Sequence, residues 1–177
     1  MGVIIEELVN YSQLTQAEGL KFIYEEARRQ KPYCSMALNW CFQEPWPTAA
    51  NNSLINWPNE IKPAYNEVAN ACRPVLASIR PAKFLWTQGE DFSAELFMLN
   101  DTYESLNAAK VKVILIYDNE KEITLKEWEF GGADPFKNAK GPQILAKLPA
   151  MRDKLFKIKV TVEGHKAYDS SYTFLCK

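Results

Sequence analysis

The chain has 177 residues, 47% apolar and 12% aromatic, with a formal net charge of −1. That length allows one domain, or one and a fraction, and a near-neutral chain lacks the basic excess of a nucleic-acid-binding surface. No run of about 18 apolar residues occurs, so no helical membrane span is expected, and the acidic start MGVIIEELVNYSQ lacks the basic n-region of a secretory signal.

The first predicted element is a helix. Thr15 and Glu18 stand at capping-box spacing. Leu20, Ile23, Tyr24 and Ala27 then follow at helical spacing, with Glu25, Glu26, Arg28 and Arg29 on the opposite, wet side. Lys31-Pro32 ends this helix. The run CSMALNW, 34–40, lies between that proline and the turn EPWP, and suits a strand buried on both faces, as in parallel sheets. It leads into NWCFQEPWPTAANN, 39–52, which carries two tryptophans, two prolines and a glutamate. Such material suits either the rim of an enzyme pocket or a rigid, well-packed loop. Asn51-Asn52-Ser53 reads as a turn, and Asn51, Asn52 and Trp57 read as structural. Pro63 can open a second helix, with Tyr65, Val68 and Cys72 on one stripe.

After Arg80-Pro81 the pattern changes to period two. Strands are predicted over 82–86, 92–99, 110–118, 122–130, 142–149, 154–164 and 170–176. Val111, Val113, Leu115 and Tyr117 alternate with Lys110, Lys112, Ile114 and Ile116. Ile158, Val160 and Val162 alternate with Lys157, Lys159 and Thr161. Short alternating strands joined by polar turns indicate an antiparallel β-sandwich of immunoglobulin-like size. Trp86, Phe92, Phe97 and Trp128 are its expected core, and the lysine-rich faces are expected to be solvated. FGGADPFKNAKG, 130–141, is expected to cross between sheets; it lacks the strand–helix setting of a phosphate loop. His165 is expected in an exposed turn.

Cys34, Cys41, Cys72 and Cys176 form no CxxC pair, and His165 is remote, so no zinc site is expected. Buried free thiols are the expectation. Asn100-Asp101-Thr102 is a glycosylation sequon. The expected division is 1–75, an α/β piece, and 76–177, a complete sandwich. One strand of parallel type cannot form a sheet alone, because its backbone groups need neighbours on both sides. The first part therefore reads as the tail of a larger α/β domain.

The segment YSQLTQAEGLKFIYEEARRQKPYCSMALNWCFQEPWPTAANNSLINWPNEIKPAYNEVANACRPVLASI, 11–79, resembles the end of the catalytic barrel in glycoside hydrolase family 2, near its β-mannosidase and exo-β-glucosaminidase branch. Ser12, Gln13, Gln16, Ala17, Glu18, Arg28 and Arg29 match the family's S-Q-x-x-Q-A-E helix and its arginine-containing end. Trp40, Trp46 and Pro47 match the barrel-end pattern W-Q-L-N-D-x-W-P in register. Gln43 and Glu44 replace its Asn-Asp pair, and Cys41 and Phe42 depart from it. Trp57, Lys62, Pro63 and Tyr65 follow a later family pattern.

The resemblance implies a mainly β chain with an α/β N-terminal piece: helix, last strand and helix of a TIM (β/α)8 barrel, then an immunoglobulin-like sandwich. It implies the non-catalytic C-terminal part of a retaining exo-β-glycosidase acting on β-mannosides, β-galactosides or β-glucosaminides. Both catalytic carboxylates would lie upstream, with Glu6 and Glu7 only the solvated approach to a helix, so this chain alone is expected to be inactive. Trp40, Gln43, Glu44 and Trp46 are the implied sugar-contacting residues. No cofactor or metal is implied. The implied partners are carbohydrate and the upstream barrel, with neither nucleic acid nor membrane. In isolation, residues 34–40 are expected to pair with another chain, to pack on the sandwich, or to be irregular. The compartment is left open, with the periplasm or the exterior as candidates for the parent. Two other readings stand beside this one: a free carbohydrate-binding sandwich module, and a scaffold sandwich with no sugar role.

Overall fold

The computed structural model describes residues 2–177. The chain divides into two compact units, the first ending at Cys72 and the second running Arg73–Lys177. No described helix is long and apolar enough to cross a membrane.

The first unit opens with α1, Gly2–Arg29, a helix of 28 residues. It begins well before the expected capping box. IIEELVNYSQ contains neither glycine nor proline, so nothing stops the helix there, and Glu6 and Glu7 lie within it on exposed positions. Thr15 is therefore interior, and its hydroxyl donates 2.8 Å back to the Tyr11 carbonyl. The expected wet face is also corrected. Glu18, Lys21 and Glu25 are buried while Ile23 is exposed. Charge pairing makes that burial tolerable. Lys21 Nζ lies 2.6 Å from Glu67 Oε2 on α2, Pro63–Ala71. Arg29 reaches Glu25 Oε2 at 3.2 Å and Glu26 Oε2 at 2.9 Å. Arg28 donates to the Ala71 carbonyl at the end of α2. The apolar core here is small: Ala17, Leu54 and Ala64, flanked by Leu20, Ile55, Tyr65 and Val68.

Residues 34–40 form no strand. No barrel strand or barrel sheet forms among the described residues, and of the three outcomes expected for 34–40 in isolation the irregular one is found. A two-face-buried strand requires neighbours that accept and donate its ladder; here 35–41 make no backbone–backbone hydrogen bond among the described residues. What sheet the unit has follows directly. Gln43 bridges Ile55 in parallel, and β1, Ile55–Asn56, pairs with β2, Glu60–Ile61. Pro63 opens α2 as expected.

The second unit is a β-sandwich. One sheet has the order β3-β5-β8, with β3 Val75–Pro81, β5 Asp91–Asn100 and β8 Ala139–Lys147. The other runs β4-β10-β9-β6-β7, with β4 Leu85–Trp86, β6 Ala109–Tyr117, β7 Lys121–Phe130, β9 Leu155–Val162 and β10 Ser170–Cys176. Every pairing is antiparallel except β4 with β10. The β7–β8 loop crosses between the sheets, as expected.

The alternation read from β6 and β9 holds. Val111, Val113, Leu115, Ile158, Val160 and Val162 are buried, whereas Lys157 and Lys159 are exposed. Between the sheets Phe92 meets Trp86, Phe174 and Phe156 with ring centroids 4.8, 5.7 and 6.2 Å away. The Ile79 N–H donates to the Tyr172 hydroxyl at 3.2 Å, joining β3 to β10 across the core. Phe97 is corrected: its ring lies outside the core, with Lys140 Nζ 5.8 Å from its centroid. Trp128 packs partly buried at the margin of the core. β3 is a strand the sequence did not announce. Five successive buried positions, VLASI, hide the period-two signal.

All four cysteines are free, but only Cys176 is buried; Cys34 and Cys41 are intermediate and Cys72 is exposed. The Asn100 side chain is fully buried. Its Nδ2 donates to the Glu104 and Asp134 carbonyls at 2.9 and 3.0 Å, so the folded sequon has no amide to offer a glycosyltransferase.

Candidate functional site

The loop from Phe42 to Lys62 and the first half of α1 enclose an open cleft of about 880 Å³ in the first unit. The loop is fixed by a polar network. The Phe42 carbonyl accepts from the Leu54 and Ile55 N–H groups, both at 3.0 Å, and the Glu44 N–H donates to Ile55 O at 3.0 Å. From α1, Gln16 Nε2 donates to the Asn52 and Ser53 carbonyls at 2.9 and 3.1 Å. Asn51 Oδ1 accepts the Ser53 N–H at 2.9 Å, a side-chain-closed turn.

Glu44 is the buried centre of this network. The Trp57 N–H donates to its Oε2 at 3.1 Å, and the Ser53 hydroxyl donates to Oε1 at 3.4 Å. Lys62, also buried, places Nζ 3.9 Å from Oε1 and donates to the Asn51 carbonyl at 2.7 Å. The Trp57 N–H holds the Glu44 carboxyl below the usual carboxylate range, helped by the Thr48 hydroxyl, the Lys62 ammonium and Ser53; burial pulls the other way and loses. The carboxylate is thus ionised and committed to the loop's own backbone.

Of the four sugar-contacting residues expected, only Glu44 lines the cleft. Gln43 instead ties the neighbouring turn, its Nε2 donating to Asn59 Oδ1 at 2.9 Å and Pro58 O at 3.2 Å. Trp40 and Trp46 stand outside the cleft, 83% and 64% exposed. The peptide between Trp40 and Cys41 is cis. Gln13, Gln16, Trp57 and Lys62 do line the cleft. Sequence patterning marked these four as matches to a family pattern, and read Trp57 as structural. A polar side chain aimed into a groove leaves no periodicity of its own.

A second, smaller cavity of about 180 Å³ lies at one end of the sandwich, beside Thr102, Glu104 and Tyr168. His165 also lines it and stacks on Tyr168 with centroids 4.9 Å apart and planes 7° apart.

No protein-family profile matches the chain, and no curated protein sequence matches it. Among solved structures, the exo-β-D-glucosaminidase CsxA matches with a TM-score of 0.58 at 15% identity, covering 96% of this chain and 19% of that one. The Amycolatopsis orientalis exo-chitosanase CsxA in complex with PNP-β-D-glucosamine gives a TM-score of 0.56 with the same identity and coverage. The Bacillus subtilis sporulation control protein reaches a TM-score of 0.39 at 11% identity, over 59% of this chain and 50% of that one. This chain therefore spans about a fifth of the glucosaminidase chains and half of the sporulation protein. At such identity the likeness to the glucosaminidase is one of fold.

Proposed function

We propose that this chain is the C-terminal, non-catalytic part of a retaining exo-β-glycosidase of the family 2 type, acting on β-mannosides, β-galactosides or β-glucosaminides. The observation that carries this reading is the extent of the likeness to the glucosaminidase. It covers 96% of this chain and 19% of that one, a share that neither unit could supply alone.

The irregular segment gives further support. Met36, Leu38, Trp40 and Phe42 recur at every second position, and all are exposed, Leu38 by 85%. From 35 to 41 the backbone makes no backbone–backbone hydrogen bond among the described residues, and pairing begins only at the Phe42 carbonyl. An apolar period-two segment without a sheet is a strand waiting for one. In this reading an upstream barrel supplies the neighbours and covers those side chains. Trp40, Gln43 and Trp46 then belong to the rim at the C-terminal end of the last strand, where barrel enzymes place their sites. Glu44 serves the rim from behind, by holding Trp57 and Lys62. The two carboxylates of the retaining reaction, roughly 5–5.5 Å apart in such enzymes, belong to the upstream part. The sandwich rings Trp86, Phe92, Phe156 and Phe174 are buried in its core and offer no sugar platform.

The test is an immunoblot of source cells with antibody to this chain, followed by assay of the captured polypeptide on aryl β-mannoside, β-galactoside and β-glucosaminide. The expected result is a band several times larger than 20.3 kDa that hydrolyses one of the three. A band at the chain's own mass, or hydrolysis by this chain alone, overturns the reading.

A further inference from the structure

We propose that the cleft between α1 and the 42–62 loop is itself a binding site for a neutral oligosaccharide. It is carried wholly by the first unit and is separate from the rim of Trp40 and Trp46. The proposal does not depend on an upstream barrel.

The volume, about 880 Å³, lies in the range of small-molecule sites and leaves room for more than one sugar ring. The lining then selects the ligand's chemistry. Its two charges are already spent. Glu44 accepts from Trp57 N–H and Ser53, and Lys62 donates to Asn51 O while facing Glu44 at 3.9 Å. An anion would meet the Glu44 carboxylate beside Lys62, the one cationic side chain among the described lining residues. A cation approaching Glu44 would meet the Lys62 ammonium, 3.9 Å from the same carboxylate. An apolar ligand would desolvate the amides of Gln13, Asn52 and Asn56 without replacing their hydrogen bonds. A polyhydroxylated neutral ligand fits all three constraints, because each hydroxyl both donates and accepts.

Trp57 supplies the remaining part. It lines the cleft and is 48% exposed. An indole face suits the C–H face of a pyranose ring. The residue is also held in advance: Glu44 fixes its N–H, and Gln43 fixes the next two residues, Pro58 and Asn59. A platform already ordered loses little entropy on binding. Toward this cleft the two adjacent residues have positioning roles: Glu44 holds Trp57 and Gln43 holds the two residues that follow it.

The experiment titrates the ¹⁵N-labelled chain with cellobiose, β-1,4-mannobiose and β-1,4-galactobiose, with glucuronate as the anionic control. We expect saturable shifts of the Trp57 indole N–H and of the Gln13 and Asn52 side-chain amides, with a Kd of about 1 mM for at least one disaccharide and none for glucuronate. Trp57→Ala weakens binding at least about tenfold, and Trp57→Phe restores part of it. Gln13→Ala on the outer turn of α1 weakens binding while leaving the amide spectrum of the sandwich unchanged. Trp46→Ala leaves the affinity unchanged. Absence of saturable shifts at about 50 mM of every disaccharide, retention of affinity in Trp57→Ala, or loss of it in Trp46→Ala would each overturn the proposal. None of these outcomes bears on the mass or hydrolytic activity of the native polypeptide, so the two readings fail separately.

Discussion

The two units treat apolar surface in opposite ways. The sandwich gathers its large side chains into one core drawn from both sheets, from Val75 to Cys176. The first unit closes only Ala17, Leu54 and Ala64 into a core, yet exposes Ile4, Ile5 and Leu8 on α1 and Met36, Leu38 and Trp40 beyond it. A layer that buries its own face needs no further cover; in the reading proposed above, the exposed apolar stretch is the face the barrel covers. The first unit is held instead by polar ties, from Lys21–Glu67 to the Glu44 network. Polar ties fix geometry well but contribute little net stability, because each replaces bonds to water.

The largest effect is expected in the core of the sandwich. Phe92 is fully buried among three aromatic rings. Phe92→Ala is expected to cost about 3–5 kcal/mol, read by denaturant unfolding, with amide exchange rising across β3–β10. A smaller loss is expected from overpacking. A Cβ on Gly141 would meet the Trp128 ring at 2.8 Å, so Gly141→Ala should cost about 1–3 kcal/mol in the same assay. In Trp128→Leu, which removes that ring, the penalty of the alanine should shrink.

Acid probes the two units separately through a carboxylate in each that backbone N–H groups hold, Glu44 in the first and Asp118 in the second. The Asp153 N–H holds Asp118 below its ordinary range, aided by the Arg152 N–H; these donate to Oδ1 at 3.1 and 2.8 Å. Glu44 is held down chiefly by Trp57 N–H. A lowered folded pKa means that the stabilisation is fully present above the unfolded value, about 4, and is lost as pH falls through the folded value. Glu44→Gln should therefore weaken the first unit at neutral pH and flatten its acid transition, followed at the Trp57 amide. Asp118→Asn should do the same at the 118–121 turn and leave Trp57 unmoved. If both substitutions flatten one shared transition, the units do not respond separately.

The smallest effect concerns the uncovered segment. Leu38→Ser in this chain should change stability by less than about 0.5 kcal/mol, since the side chain is 85% exposed. Within a longer polypeptide whose barrel covers it, the same change should cost about 2 kcal/mol or more. Equal small effects in both would count against a covering barrel.

The sandwich was legible in the sequence wherever one face of a strand is wet, because alternation is a local signal. β6, β9 and β10 fell within a residue or two of their predicted ends. β3 was not legible, since burial of five consecutive residues erases the period. The polar face of α1 misled for a related reason: pairs such as Lys21–Glu67 and Glu25–Arg29 allow charges to be buried, and pairing across 46 residues is invisible to a helical wheel. In the site, Glu44 and Gln43 were picked out as chemistry-bearing residues, but their partners Trp57, Lys62 and Asn59 arrive from the far side of the loop.

By itself, then, the sequence determined the mainly β character, the sandwich strands that keep one face wet, and the apolar strand-like pattern at 34–40. These follow from composition and from periods of 2 and 3.6, which act over a few residues. Only the tertiary structure decided that 34–40 remains irregular, that Glu44 is spent on holding Trp57, and that Gln13 and Trp57 face one cleft. Each of those depends on which distant groups are available to satisfy a buried donor, acceptor or charge, and that is settled when the chain closes on itself.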